Sequence, residues 1–192
     1  MIKTRKDLKD CLQADALASG RSSTRPALLG DEIWKFQISL RTLEYYGQAH
    51  SVNRLLCLPA QAVHRIRYHR LSVKLGYSIP LNVFGSGLSI PHRGTIVVAK
   101  STRAGKNCRI HEGVTIGATN GSSIAAVLGD NVFLGAGAKI IGAVEIADDV
   151  AIGANAVVVH SIREPGTTWG GIPARKISEH SSRANLDRRL SF

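Results

Sequence analysis

Between Leu128 and Arg163 the chain repeats itself every six residues. Read in sixes it runs LGDNVF, LGAGAK, IIGAVE, IADDVA, IGANAV and VVHSIR, with Leu, Ile or Val always first and Val, Ala or Ile always fifth. Ala104, Ile110 and Ile116 keep the same spacing, with Cys108 and Val114 in the fifth position, and Phe84, Ile90 and Ile96 continue it further back, shifted by two residues. A period of six matches neither the 3.6-residue turn of a helix nor the alternation of a simple strand. It fits a solenoid in which each hexad forms one flat side of a triangular coil. The aliphatic first position then points inward and stacks on its equivalent three hexads, or one full coil, later. The small fifth position fills the remaining interior. Gly, Asn and Asp fall at the corners, where a positive φ costs them little.

Composition follows from this architecture. A narrow prism has no room for rings, and the 192 residues include only 4 Phe, 2 Trp and 4 Tyr. Fifteen of the 19 glycines fall within residues 79–178. Residues 1–78 carry +7 of the formal charge of +11, residues 79–178 carry +3 and the tail 179–192 carries +1. We therefore expect a mainly β protein: a parallel β-helix over 79–178, an N-terminal α-helical domain over 1–78, and a tail that is a short helix or disordered. Thr4 to Ala18 has Leu8, Cys11, Leu12 and Ala16 at helical spacing, stopped by Gly20. Asp31 is expected to cap a second helix that runs to Tyr46, with Gly47 as its stop. A third helical region, 51–75, is interrupted or started near Pro59. It carries the basic cluster His64, Arg65, Arg67, His69, Arg70 and Lys74. That cluster reads as a solvated face, a subunit contact or an attractor of anions. It fits no nucleic-acid-binding motif, so nucleic acid is not expected as a partner. No window approaches the roughly 18 apolar residues of a membrane span. The start MIKTRKDLKD has no apolar stretch of a secretory signal. Cys11, Cys57 and Cys108 are few, odd in number and widely spaced, which suits a reducing cytosol better than a disulfide framework or a zinc site. The expected location is cytoplasmic, with the inner membrane face as a variant of it.

The hexads, with the run IPHRGTIVV, CRIHEGVTIGAT, LGAGAKIIG, IGANAVV and WGGIPARKI, resemble the hexapeptide-repeat acyltransferases. The branch they resemble holds the serine acetyltransferases and related enzymes of polysaccharide biosynthesis. The resemblance implies a left-handed β-helix and acetyl transfer from acetyl-CoA to a hydroxyl, with no metal. It implies a homotrimer or dimer of trimers with active sites between adjacent prisms. His92, in PHRGT, matches the family's catalytic base. A hydroxyl is a weak nucleophile at neutral pH, and a positioned imidazole can take its proton and pass it to the departing thiolate. Backbone N–H groups at a glycine-rich corner can stabilise the oxyanion. By motif match Ala118, Thr119, Ala136 and Ala154 lie where the family runs the pantetheine arm. Arg175 and Lys176, in and after GIPAR, are candidates for the CoA phosphates.

The chain departs from the serine acetyltransferases on the acceptor side. The family's acidic residue before the histidine is Pro91 here, and the aspartate that orients the imidazole is replaced, on a gapless count, by Tyr77. The Asp-Arg-His stretch that grips the amino-acid carboxylate becomes NGSSIAAVLGD, without a basic residue. Only Asp15 matches the family's serine-contacting groups. Asn120, with Ser122 and Ser123, suits a neutral polyol. These departures point to a sugar hydroxyl of a capsular, exopolysaccharide or lipopolysaccharide precursor, with serine O-acetylation of cysteine biosynthesis as the alternative. Glu112, Tyr77 or a backbone carbonyl could fix the tautomer of His92. His111 falls close to one coil after His92. A zinc hydratase is disfavoured because the coil histidines, His92, His111 and His160, are not closely paired. A purely structural scaffold is the remaining alternative.

Overall fold

A computed structural model describes residues 2–48, 58–119, 121–187 and 189–190. Three helices precede the coil: α1 (Arg5–Ala18), α2 (Glu32–Gln48) and α3 (Leu58–Leu75). Helix α1 starts where the sequence predicts. Thr4 accepts from the Asp7 amide while the Asp7 carboxylate accepts from the Thr4 amide, so two otherwise unpaired donors are satisfied together. Asp31 behaves differently from expectation. Its φ is 61°, and its carboxylate accepts from Arg21 and the Ala27 amide, so it braces the preceding loop. Helix α2 runs through Gly47 because its packing against α3 and the coil outweighs one glycine. Cys57 and the start of the third helical region expected from sequence lie outside the described residues. On α3, Arg65, His69 and Arg70 are exposed, Lys74 pairs with Glu32 at 3.0 Å, and Tyr68 and Leu71 pack inward.

The chain then winds into stacked triangular coils. β1 (Tyr77–Ser78) opens the first, whose other sides are single bridges at Phe84 and Ser89. The second holds β2 (Ile96–Val98), β3 (Arg103–Ala104) and β4 (Arg109–Ile110); the third holds β5 (Thr115–Gly117), β6 (Val127–Leu128) and β7 (Phe133–Leu134). The fourth holds β8 (Lys139–Ile141), β9 (Glu145–Ile146) and β10 (Ala151–Ile152). β11 (Val157–Val158) and β12 (Thr168–Gly170) form the last, which β13 (Arg175–Ser178) closes. The faces are the sheets β1-β2-β5-β8-β11, β3-β6-β9 and β4-β7-β10-β12-β13. Every pairing is parallel except β12 with β13, where an antiparallel strand ends the stack.

The hexad reading is met residue by residue. Leu128, Leu134, Ile140, Ile146, Ile152 and Val158 are all buried, as are Val132, Ala138, Val144, Val150, Ala156 and Ile162 in the fifth position. Lys139 pairs with Val157, three hexads on, whereas Thr115 pairs with Lys139, four hexads on. One extra hexad is therefore looped out between β5 and β6, where polar residues cluster. Asn107, Asn131 and Asp149 turn successive corners with φ of 56°, 58° and 60°. Their side chains form a ladder, Asn107 Nδ2 to Asn131 Oδ1 and Asn131 Nδ2 to Asp149 Oδ1, both 2.8 Å. Arg183, in the short 3-10 turn Ser182–Asn185, closes the ladder on Asp149 at 2.7 Å.

The helices seal the first coil through polar groups. Arg41, fully buried, donates to the Phe84 carbonyl at 2.8 Å and the Gly85 carbonyl at 2.6 Å. Asp15 accepts from the Gly87 and Leu88 amides at 2.7 and 2.8 Å and pairs with Arg41. Glu44 accepts from the Asn82 amide at 2.7 Å, and Gln37 donates to the Leu88 carbonyl at 2.7 Å. These contacts pair the backbone groups that an open coil end would leave unsatisfied.

Candidate active site

The site is built at one corner of the prism. Gly113 donates to the Thr95 carbonyl (2.7 Å), Gly137 to the Glu112 carbonyl and Asn155 to the Ala136 carbonyl (both 2.8 Å). That ladder stacks the loop of His92 under Glu112, Ala136 and Ala154. His92 is exposed in the single chain and heads the edge. Its ring meets that of His111 edge-on at 5.5 Å, and His111 meets Phe133 at 5.1 Å. One donor atom from each of His92, His111 and Glu112 lies within 4.8 Å of the others. The two histidines fall close to one coil apart along the chain, and the coil's return brings them side by side.

Each member is held from a different direction. Tyr77, buried beneath the loop, donates its hydroxyl to the His92 carbonyl at 2.6 Å. It therefore fixes the His92 backbone and is not available to orient the ring. Burial pushes its phenol up, so it stays a neutral donor. Arg93 reaches the Glu32 carboxylate at the start of α2 at 3.0 Å. Arg109 Nε donates to His111 Nε2 at 3.3 Å. Burial, reinforced by Arg109, lowers the affinity of His111 for a proton, so its Nε2 is an acceptor at neutral pH. Glu112 Oε2 lies 3.8 Å from His111 Nδ1, is buried, and has no hydrogen-bond partner among the described residues. It is the carboxylate near the His92 ring. Gly94 makes this possible: a Cβ there would fall 2.8 Å from the Glu112 Cβ, so any side chain would push Glu112 away.

The other sequence candidates separate. Ala136 and Ala154 continue the His92 edge. Ala118 and Thr119 are exposed at the far end of the same face, where Gly142 stacks beneath Thr119. Arg175 is exposed on β13. Lys176 is engaged by Glu164 at 2.6 Å and Glu179 at 2.8 Å, so a phosphate would have to compete for it. Asp15 is corrected: fully buried under the first coil with Arg41, it cannot touch an acceptor. Asn120 lies outside the described residues. Sequence reasoning missed Arg109 and Phe133. Both occupy the sixth position of a hexad, just before the inward Ile110 and Leu134, and that register alone predicts an outward side chain beside the site.

Residues 125–160 match the model of the bacterial transferase hexapeptide (six repeats). The serine acetyltransferase of Helicobacter pylori (strain J99 / ATCC 700824) is 36% identical over 140 residues, which cover 67% of this chain and 81% of that protein. The chain belongs to the serine acetyltransferase family. A serine acetyltransferase structure in complex with CoA has a TM-score of 0.65 and 24% identity, covering 90% of this chain and 71% of that one. The Neisseria gonorrhoeae serine acetyltransferase in complex with serine has a TM-score of 0.62 and 26% identity, covering 88% and 69%. The coil is thus the left-handed β-helix of this serine acetyltransferase family, with its N-terminal helices. The protein is an acetyl-CoA-dependent acyltransferase, and acetyl-CoA is its co-substrate. No helix among the described residues is long and apolar enough to cross a membrane.

Proposed function

We propose that this acetyltransferase acetylates the hydroxyl of L-serine, with His92 as general base. The observation that carries the reading is His92 at the head of a small-residue edge, in a chain 36% identical to the H. pylori serine acetyltransferase. In the reaction, His92 takes the hydroxyl proton while the oxygen attacks the thioester carbonyl. The C–S bond then breaks, and the imidazolium returns the proton to the CoA thiolate. Glu112, with its unpartnered Oε2, stabilises the transient imidazolium. The arrangement serves proton transfer better than cation binding, because the Arg109 guanidinium beside His111 opposes a second positive charge there. Ala136 and Ala154 leave the edge open for the pantetheine arm, and Arg175 is the better-placed cation for the CoA phosphates. Acetyl transfer takes place in a homotrimer, where an adjacent prism covers the exposed His92 edge.

A sugar hydroxyl is the second reading. It is favoured by the sealing of Asp15 and by the looped-out hexad, whose residues 121–126 contain no cation. Purified protein with acetyl-CoA and either L-serine or a panel of hexoses and nucleotide sugars separates the two. CoA release that saturates with serine supports the first, and release only with sugars overturns it. His92→Ala is expected to lower the rate about 10²- to 10⁴-fold with CoA binding retained. Unchanged transfer by that variant would remove His92 from the mechanism.

A further inference from the structure

Next to the catalytic cluster, on the side facing the helices, lies a cavity of about 210 Å³. Its polar lining comes from Ser19, Arg21, Asp31, Gln37, Ser89 and Arg109, with Trp34 and Pro91 among its apolar walls. Pro91 directly precedes the base, and Arg109 touches His111, whose ring contacts that of His92, so the cavity ends one side chain from the reacting centre. Its charges do not cancel. Arg21 and Asp31 form a two-pronged pair, both bonds 2.7 Å, and Arg21 also lies 5.1 Å over the Trp34 ring. That pair is neutral as a unit and rigid. Arg109 forms no ion pair within 4.0 Å among the described residues, Asp187 is within its electrostatic reach, and the lining residues themselves leave one positive charge over. Two of the lining residues carry unused donors: the Ser19 hydroxyl and Arg21 Nε are buried without a hydrogen-bond partner among the described residues. Leaving such groups unmet is costly unless a ligand meets them.

We propose that this cavity is the acceptor subsite and that it selects a small alcohol bearing a carboxylate. Arg109 takes the carboxylate, Ser19 and Arg21 Nε donate to its oxygens, and the hydroxyl is presented past Pro91 to His92. The volume holds about seven waters at roughly 30 Å³ each, room for a ligand of about that many heavy atoms and too little for a glycan chain. The cations absent from the looped-out hexad are thus supplied by the α1–α2 connection and by β4. The proposal rests on the acetyl-transfer reading above and adds residues that confer acceptor choice.

The test is steady-state kinetics on the full chain, with folding checked by circular dichroism. Arg109→Gln is expected to raise the KM for L-serine about 10- to 100-fold and to leave the KM for acetyl-CoA unchanged, with Arg109→Lys recovering part of the loss. Ser19→Leu, which fills the cavity, is expected to block serine while sparing CoA binding measured by calorimetry. A fall in kcat at constant serine KM would assign Arg109 to His111 alone and overturn the subsite. Wild-type transfer to sugars but to no carboxylate-bearing alcohol would also overturn it, with acetyl transfer intact. Absence of both CoA binding and transfer to any hydroxyl would remove the underlying reading and the subsite with it.

Discussion

The coil and its helical cap are held together by opposite means. Inside the coil the stacked positions are aliphatic, from Val98 through Ile116 and Ile140 to Val158, and the charges sit outside. At the junction with the helices the chain buries Asp15, Arg41 and Glu44, none more than 3% exposed. A solenoid satisfies its own backbone from one coil to the next, so its interior asks only for shape. The first coil has no coil before it. Its amides at Gly87 and Leu88 and its carbonyls at Phe84 and Gly85 need partners, and apolar side chains cannot supply them. The polar joint is therefore the place where the two architectures become one protein.

This contrast is broken most severely at the joint. Asp15→Ala leaves Arg41 buried without its main counterion and two amides unpaired. It is expected to cost about 3–5 kcal/mol and to undock the helices before the coil melts, read as two transitions in urea by fluorescence of Trp34 and Trp169. A single transition with an unchanged midpoint would mean that the joint is dispensable. In the coil, Ile140→Ala removes one stacked side chain between Ile116 and Val158. A loss of about 2–5 kcal/mol is expected, spread over neighbouring coils as a lower midpoint with cooperativity retained. The smallest effect belongs to the corner ladder. The Arg183 hydrogen bond holds the Asp149 carboxyl below its ordinary range. Its contribution is present above the unfolded value near pH 4 and is lost as pH falls through the lower folded value. Asp149→Asn should cost about 0.5–1 kcal/mol at neutral pH and remove that part of the acid sensitivity. An identical acid limb in the variant would show that the ladder carries no stability.

The same contrast explains what could be read in advance. The inward residues of the coil were legible because a six-residue period allows each of them one orientation. Helix α1 was legible because Leu8, Cys11, Leu12 and Ala16 recur at helical spacing before Gly20. The role of Asp15 was not. Its motif match suggested a ligand contact, and only the packing of α1 under Gly87 and Leu88 turned it into a structural anchor. His111, by contrast, was legible: it falls close to one coil after His92, and the coil's return makes the two rings neighbours.

The sequence by itself determined the prism and its corners, because repetition and local φ preferences are encoded within a few residues of each site, and a motif match singled out His92 as the candidate base. The surroundings of His92 were decided by tertiary structure. Glu112 and His111 come from the next coil, Tyr77 from the coil's first strand, and Arg21 and Asp31 from the helical connection. The one-coil spacing of His92 and His111 was visible in the sequence, whereas Arg21 and Asp31 leave no spacing signal, and only the docking of the cap brings them beside the coil.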